Sequence, residues 1–378
     1  MDRKKSMYYF PIKGDKHMPF TDSYNSKPLT GVSLPLSFSA LAIPHEGEPV
    51  SLQRKTIHSL APDELLVRVD FASINNMDPL IAKRNIFQLP APYVLGFDYS
   101  GVVVKLGSEG PKGLRVGDLV LGSTHGLGGC YAEYAVVKNR PEDIVQRGRV
   151  PATEASTFGI AFLTAYESLI LSGDIQRHHG KWIYIAGAGG GLGHFAVQMA
   201  KIHGLKVIGS AGKPATIDLL RRLGVDHVID YSKQDVSEEI LKLTKGQGVD
   251  VVYESTGSPS SFQQSSAVIA SGGEYIRLGT PMQLKQFGKP DLSSVVEARG
   301  AKMVIADLAR YSRDPEFQSQ KAKVAEGLEQ AVRWTEEGKL KAEITKIVPF
   351  DPVALQQAFE AFSRGEINVG KVVVKCSE

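Results

Sequence analysis

The stretch Trp182–Gly193, WIYIAGAGGGLG, runs an apolar strand straight into a glycine-dense turn. Its continuation, HFAVQMAKIHG, has helical spacing, with Phe195, Ala196, Met199 and Ala200 on one face. Strand, turn and helix in that order are what a dinucleotide-binding βαβ unit requires. The turn reads Ala-x-Gly-x-x-Gly across Ala188, Gly189, Gly190, Gly191, Leu192 and Gly193. Small residues there permit a tight turn, close approach of backbone N–H groups to a pyrophosphate, and tight helix–strand packing. The phosphates would rest on the N-terminus of the following helix, where unpaired N–H groups favour negative charge. Glycine-rich turns also join strands to helices where no ligand binds, so the neighbouring sequence has to decide.

A second short strand, Lys206–Ser210, follows the helix. An NAD-binding unit places Asp or Glu near its end, on the adenosine ribose hydroxyls. Here the chain reads Ser210-Ala211-Gly212-Lys213, with no acid and one added cation. A carboxylate would repel the 2′-phosphate of NADPH, whereas a hydroxyl and an ammonium would receive it. The expected cofactor is therefore NADPH, with Ser210, Gly212 and Lys213 at its 2′-phosphate. Arg221 and Arg222 further along read as a solvated helix face.

The bulk composition fits this frame. The chain has 378 residues, 42% hydrophobic and 22% charged, enough for two domains with buried cores. A net charge of +3, with no basic run interleaved by aromatics, argues against nucleic acid as partner. No apolar run is long enough to span a bilayer. The first residues, MDRKKSMYYFPIKGDKHMPF, lack the apolar region of a secretory signal, and Asp2 and Asp15 argue against a transit peptide. Two cysteines, Cys130 and Cys376, suit a reducing compartment, and the expectation is a cytoplasmic protein.

Residues 1–35 read as an N-terminal extension. From Phe38 to Val137 strand signals dominate (SFSALAI, LLVRVDFASI, YSGVVVKLG, DLVLGS, YAEYAVV), punctuated by Gly and Pro as in a β-barrel-like domain. After Pro151 short strands alternate with helices: WIYIA, KVIGS, HVIDY, VDVVYES and GEYIRLG. Five such units predict a parallel, doubly wound sheet with the cofactor at the strands' carboxyl ends. A long amphipathic helix is expected over Gln318–Gly338. The tail returns to strands in ITKIVPF and KVVVK, with a helix, ALQQAFEAFSRG, between them.

These features resemble the medium-chain dehydrogenase/reductase superfamily. The likeness is carried by INNMDPLIAKRNIFQLPAPYVLGFDYSGVVVKLG, RVGDLVLG, FGIAFLTAYESL, the glycine turn and INVGKVVVK, and is closest to the quinone oxidoreductase, zeta-crystallin-like branch. The resemblance implies an α/β fold in which a GroES-like β-barrel catalytic domain (36–155 and 311–378) flanks a Rossmann doubly wound cofactor domain (156–310). It also implies homodimers paired at the Rossmann edge. Zinc alcohol dehydrogenases of this superfamily hold their catalytic metal with Cys, His–Glu and Cys. Those places here read Asn75, Phe97–Asp98 and Ile160, and neither a phenylalanine nor an isoleucine can ligate zinc. The four-cysteine structural zinc lobe cannot be built from two cysteines.

With no Lewis acid to stabilise an alkoxide, reduction of an already electrophilic acceptor is the expected chemistry. Quinones and enones or enals accept hydride with the charge spread over a carbonyl, so positioning supplies much of the rate. The resemblance puts Asn75 beside the nicotinamide, where its amide can donate to an oxygen. The same residue type serves equally as a cap on a strand-to-helix turn. Asp78 and Asp98 are candidate proton shuttles, or buried hydrogen-bond partners at the turn. Lys83 and Arg84 fit a solvated helix end better than an anion site. Thr164, and with it Tyr166, matches family positions near the nicotinamide. The resemblance adds Tyr231 near the adenine phosphate, Gly279 by the nicotinamide, and Asn368, Gly370 and Lys371 closing over the cofactor. Ile86 stands where enoyl-thioester reductases of this branch carry a proton-donating tyrosine, which counts against thioester reduction and leaves solvent as a proton source. Two other functions remain open: a trans-acting enoyl reductase, and an NADPH-binding protein without turnover.

Overall fold

The computed structural model describes residues 35–109, 113–124, 129–278 and 293–377, the side chains of 312 and 313 excepted. Most of the expected 1–35 extension, and Gly279, therefore lie outside the described residues.

Sixteen strands are assigned among the described residues, β1–β16 in chain order. Six form one parallel sheet in the order β11-β10-β9-β12-β13-β14. They are β9 (Trp182–Ala186), β10 (Lys206–Ala211), β11 (His227–Asp230), β12 (Val249–Glu254), β13 (Ile269–Leu278) and β14 (Lys302–Ala306). Numbered within the sheet this is 3-2-1-4-5-6, the doubly wound order. β14 was missed in the sequence because KMVIA follows a helix with no punctuation beyond Gly300. The central strand shows why both faces are covered. Ile183 and Ile185 join one hydrophobic cluster, while Tyr184 and Ala186 join another on the opposite face.

The second sheet runs β15-β16-β3-β5-β6-β8, with β7 (Tyr134–Lys138) paired to β3, β6 spanning Leu119–Ser123 and β8 Ile144–Gln146. Its long strands are β3 (Glu64–Ile74) and β5 (Asp98–Leu106), and β16 (Lys371–Lys375) lies antiparallel to the end of β3, with Val372 opposite Ile74. A third sheet, β2-β1-β4, pairs β1 (Ser37–Ile43) with β2 (Ser51–Thr56) and β4 (Tyr93–Val94). β2 was also unforeseen, because SLQRKT lacks the apolar run of its neighbours.

The helix predicted over Gln318–Gly338 is observed at Lys321–Glu336. It packs Val324, Leu328, Ala331 and Trp334 into the cluster that holds Phe158, Phe162 and Phe195 of the nucleotide-binding side. The first strand that the tail adds to the catalytic sheet is β15 (Ile344–Val348). Contacts at the glycine turn and along the segment leading into β15 hold the tail in place. Gly370 N–H donates to the Gly189 carbonyl at 2.8 Å, and the Gln198 amide brackets the Lys341 backbone at 2.8 and 2.9 Å. Ala342 N–H donates to Glu154 at 2.9 Å, and Arg222 pairs with Glu343 at 2.8 Å. No helix among the described residues is long and apolar enough to cross a membrane.

Candidate active site

The glycine turn links β9 to a helix, α1, over Gly193–Ile202. Gly187, overlooked in the sequence, takes φ +72° and starts the turn; the glycine directly after an apolar strand was its only signal. Gly193 is required by packing, since a Cβ there would lie 2.1 Å from the Gly187 carbonyl oxygen. A Cβ on Gly189 would meet the Thr216 methyl at 2.1 Å. Gly190 differs. Its Cβ would meet nothing nearer than 3.4 Å, leaving an open surface above the turn. The first turn of α1 bonds back onto the glycine turn, His194 N–H to the Gly190 carbonyl at 3.1 Å and Phe195 and Ala196 N–H to the Leu192 carbonyl at 3.1 and 3.0 Å, and the helix dipole makes this end positive. An anionic, backbone-recognised group such as a pyrophosphate fits this cradle.

At the tip of β10, Ser210 is buried and its hydroxyl lies 2.9 Å from Tyr184 OH, either atom able to donate. Lys213 is exposed and precedes a second helix, α2 (Pro214–Arg222). Tyr231 is 56% exposed and lays its ring on Gly212, where a Cβ would come within 2.3 Å of it. Ser210 and Lys213 at the end of β10 thus lie next to Tyr231, which follows the paired strand β11 and donates its N–H to the Ala211 carbonyl at 3.1 Å. Arg221 pairs with Asp218 and Arg222 with Glu343, a solvated face as expected. Beside the turn, Glu254 at the end of β12 accepts from Thr256 N–H, Thr256 Oγ1 and Gly257 N–H at 2.7, 2.6 and 3.2 Å. It also accepts from the Ser261 hydroxyl.

The catalytic side is built where β3 ends. Asn75 is not a cap: its Oδ1 accepts from Lys371 Nζ at 2.6 Å, and its Nδ2 donates to Asp98 Oδ1 at 3.0 Å. Asp98 further accepts from Ser73 Oγ at 2.8 Å and from Ile160 N–H at 3.2 Å. Asp78 accepts from the backbone N–H of Asn75 at 2.7 Å and of Gly96 at 3.3 Å. It is a buried hydrogen-bond partner, fully enclosed. Burial pushes its carboxyl up to about 7, with the nearby Asp98 charge adding to the rise. Burial raises Asp98 as well, opposed by Lys371. The Lys371 ammonium is lowered by burial, against the pull of Asp98 and Asp78.

Lys371 departs most from expectation. Anticipated as a cation closing over a cofactor, it is 3% exposed and bonded to Asn75 and to the Ile74 carbonyl at 3.0 Å. Neighbouring Asn368 and Val369 are half-buried, and Gly370 takes φ +54°. His194, unremarked in the sequence, sits in the first turn of α1 with Nδ1 2.9 Å from the Gly190 carbonyl. Burial lowers its imidazole to about 4, so it is neutral at physiological pH. Its Nε2 is buried without a partner among the described residues. The signal was a polar residue inside an otherwise apolar helix start.

Thr164 lies in the helical turn Leu163–Tyr166, between two π-helical stretches, Phe158–Phe162 and Glu167–Ser172. Such stretches recur at functional sites. Tyr166 stacks on Phe162 at 5.9 Å and packs near Trp334, which is a packing role. Asn85 takes the left-handed conformation and clamps Leu89 through both backbone groups, at 2.8 and 2.9 Å. The clamped loop leaves Phe87 47% exposed and edge-on to Phe97 at 6.2 Å, while Ile86 packs against the catalytic core. Lys83 and Arg84 are exposed. The loop Ser123–Gly129 is described only at its ends. Cys130 and Cys376 are buried free thiols whose acidity burial suppresses.

Two family models match: an alcohol dehydrogenase GroES-like domain over residues 61–146, and a zinc-binding dehydrogenase domain over residues 191–304. Among curated proteins, a trans-enoyl reductase of Aspergillus terreus is 30% identical over 330 residues, 85% of this chain and 88% of its own. A chloroplastic quinone-oxidoreductase homolog of Spinacia oleracea is 30% identical over 83% of this chain and 90% of its own. Among solved structures, a quinone oxidoreductase from Coxiella burnetii superimposes with TM-score 0.73 at 25% identity, covering 90% of this chain and 100% of its own.

Proposed function

The chain belongs to the medium-chain dehydrogenase/reductase superfamily, in its quinone oxidoreductase-like branch, and from that premise we propose that it is an NADPH-dependent, zinc-independent reductase of quinones or α,β-unsaturated carbonyls. One observation carries this reading. Where zinc relatives set metal ligands, Phe97 and Ile160 offer carbon, and Asp98 is committed to Asn75, Ser73 and the Ile160 N–H. That donor set supports a zinc-free reading within a family whose matching domain is a zinc-binding dehydrogenase. An acceptor that is electrophilic by itself suits a site whose polar group is an amide.

Bound NADPH would supply the hydride. The turn from Ala188 to Gly193 would hold its pyrophosphate, and Ser210, Lys213 and Tyr231 its 2′-phosphate, with Asn368 and Gly370 at the cover. Asn75 would donate an N–H to the acceptor oxygen, where charge develops as hydride arrives. The acceptor gains one hydride and one proton, and solvent can supply the proton because a hydroquinone or enol needs no strong acid. We place the protein in the cytoplasm and as a homodimer paired along an edge of the parallel sheet.

The Aspergillus relative favours a second reading, trans-acting enoyl reduction. Ile86, turned into the core, offers no hydroxyl to a thioester. NADPH oxidation measured with a panel of quinones, enals and a crotonyl thioester separates the readings. Turnover restricted to the thioester would replace the first with the second. Tight NADPH binding with no acceptor reduced would leave a non-enzymatic nucleotide-binding protein.

A further inference from the structure

The Asn75 amide is gripped at both ends by groups of opposite chemistry. An ammonium has only donors, so the oxygen end must face Lys371; a carboxylate has only acceptors, so the nitrogen end must face Asp98. A flipped amide would set donor against donor and acceptor against acceptor. Both gripping groups are buried, so water cannot substitute cheaply for either. The charges polarise the amide in the same sense, drawing electrons toward oxygen and strengthening its N–H as a donor.

Lys371 reaches this position from a residue 296 places away. It follows directly on Gly370, which is bonded to the glycine turn at Gly189. Its stem passes that turn as well, since a Cβ on Gly191 would lie 3.3 Å from Lys371 Cδ. One side chain therefore spans the seat of the nucleotide and the amide of the other domain.

We propose that Lys371 is a positioning residue for hydride transfer: its ammonium fixes which end of the Asn75 amide donates, and so sets the hydrogen bond offered to the acceptor carbonyl. This rests on Asn75 being the acceptor-facing donor. It gives Lys371 a task in turnover rather than in nucleotide affinity.

The test is a double-mutant cycle of Lys371→Met and Asn75→Ala, with 1,4-naphthoquinone and trans-2-hexenal as acceptors and NADPH binding followed separately by fluorescence. In the wild-type background Lys371→Met should lower kcat by about 30-fold, the scale of a misplaced catalytic group. The NADPH Kd and the acceptor KM should each move less than about threefold, because neither contact is removed. In the Asn75→Ala background the same change should cost less than about twofold, since the amide it orients is gone. Lys371→Arg, which keeps the charge and the donors, should recover part of kcat, and it serves as the reporting variant if Lys371→Met does not fold. An equal loss of kcat in both backgrounds overturns the proposal, as does a loss confined to NADPH affinity. Wild type that reduces no acceptor sinks the proposed function together with this inference; a wild type that turns over beside an unimpaired Lys371→Met sinks the inference alone.

Discussion

The glycine turn and the Asn75–Asp98–Lys371 network touch at Lys371, yet they are made in opposite ways. The turn uses consecutive residues, and its working surface is backbone: Gly193 and Gly189 are small because carbonyl and methyl groups already fill the space beside them. The network draws single side chains from positions 75, 98 and 371, and its working property is charge held out of water. Shape can be written locally, because a turn depends on the φ and ψ of its own residues. Charge burial cannot, because desolvation depends on everything packed around the group.

If the turn acts through shape alone, a bulky residue at its open position should abolish binding and spare the fold. Gly190→Val meets no neighbour within 3.4 Å of its Cβ, so thermal unfolding should stay close to wild type. NADPH binding should fall by more than about 100-fold, since branched carbons occupy the phosphate approach. Retained binding in a titration would remove the pyrophosphate from this turn.

The end of β10 carries the next effect in size. Lys213→Ala should weaken NADPH by about 10- to 100-fold, the range for a lost charged hydrogen bond, and leave NADH within about twofold. Equal changes for both nucleotides, measured side by side, would mean Lys213 does not meet a 2′-phosphate.

The network should declare itself through pH instead. Asp78 titrates near 7 in the folded protein and near 3.8 as a free side chain. Between those values the native state keeps a proton that the unfolded chain has released. Unfolding free energy should therefore fall as pH rises from about 4 to about 7, by at most about 1.4 kcal/mol per pH unit, and level off above. Asp78→Asn should flatten that slope and leave the NADPH Kd nearly untouched. Urea midpoints from pH 5 to 8 give the comparison, and a variant with the wild-type slope would show that another group titrates.

Least should happen at the surface tie to the tail. Arg222 and Glu343 are 2.8 Å apart, but the arginine is 59% exposed. Arg222→Ala should cost less than about 1 kcal/mol in denaturant melts. A larger loss would mean that the junction, and not the two cores, limits stability.

The same division marks what could be read in advance. The strand–turn–helix at Trp182–Ile202, the alternating units and the absence of an acid after Ser210 are local patterns, and the parallel sheet followed from them. β14 and β2 escaped, the first for want of punctuation and the second for want of apolar residues. Asn75 was legible as a residue to watch, but not as one bonded on both sides. His194 was passed over, because nothing in a one-dimensional pattern says that an imidazole nitrogen will be sealed from solvent.

By itself the sequence determined the nucleotide-binding architecture and the carbon side chains at Phe97 and Ile160, since backbone periodicity and side-chain chemistry travel with the residues. Only the tertiary structure decided that Lys371 is an internal cation holding an amide. Antiparallel pairing of β16 with the end of β3 brings the lysine to Asn75, and burial in that sheet leaves its ammonium only protein atoms to bond.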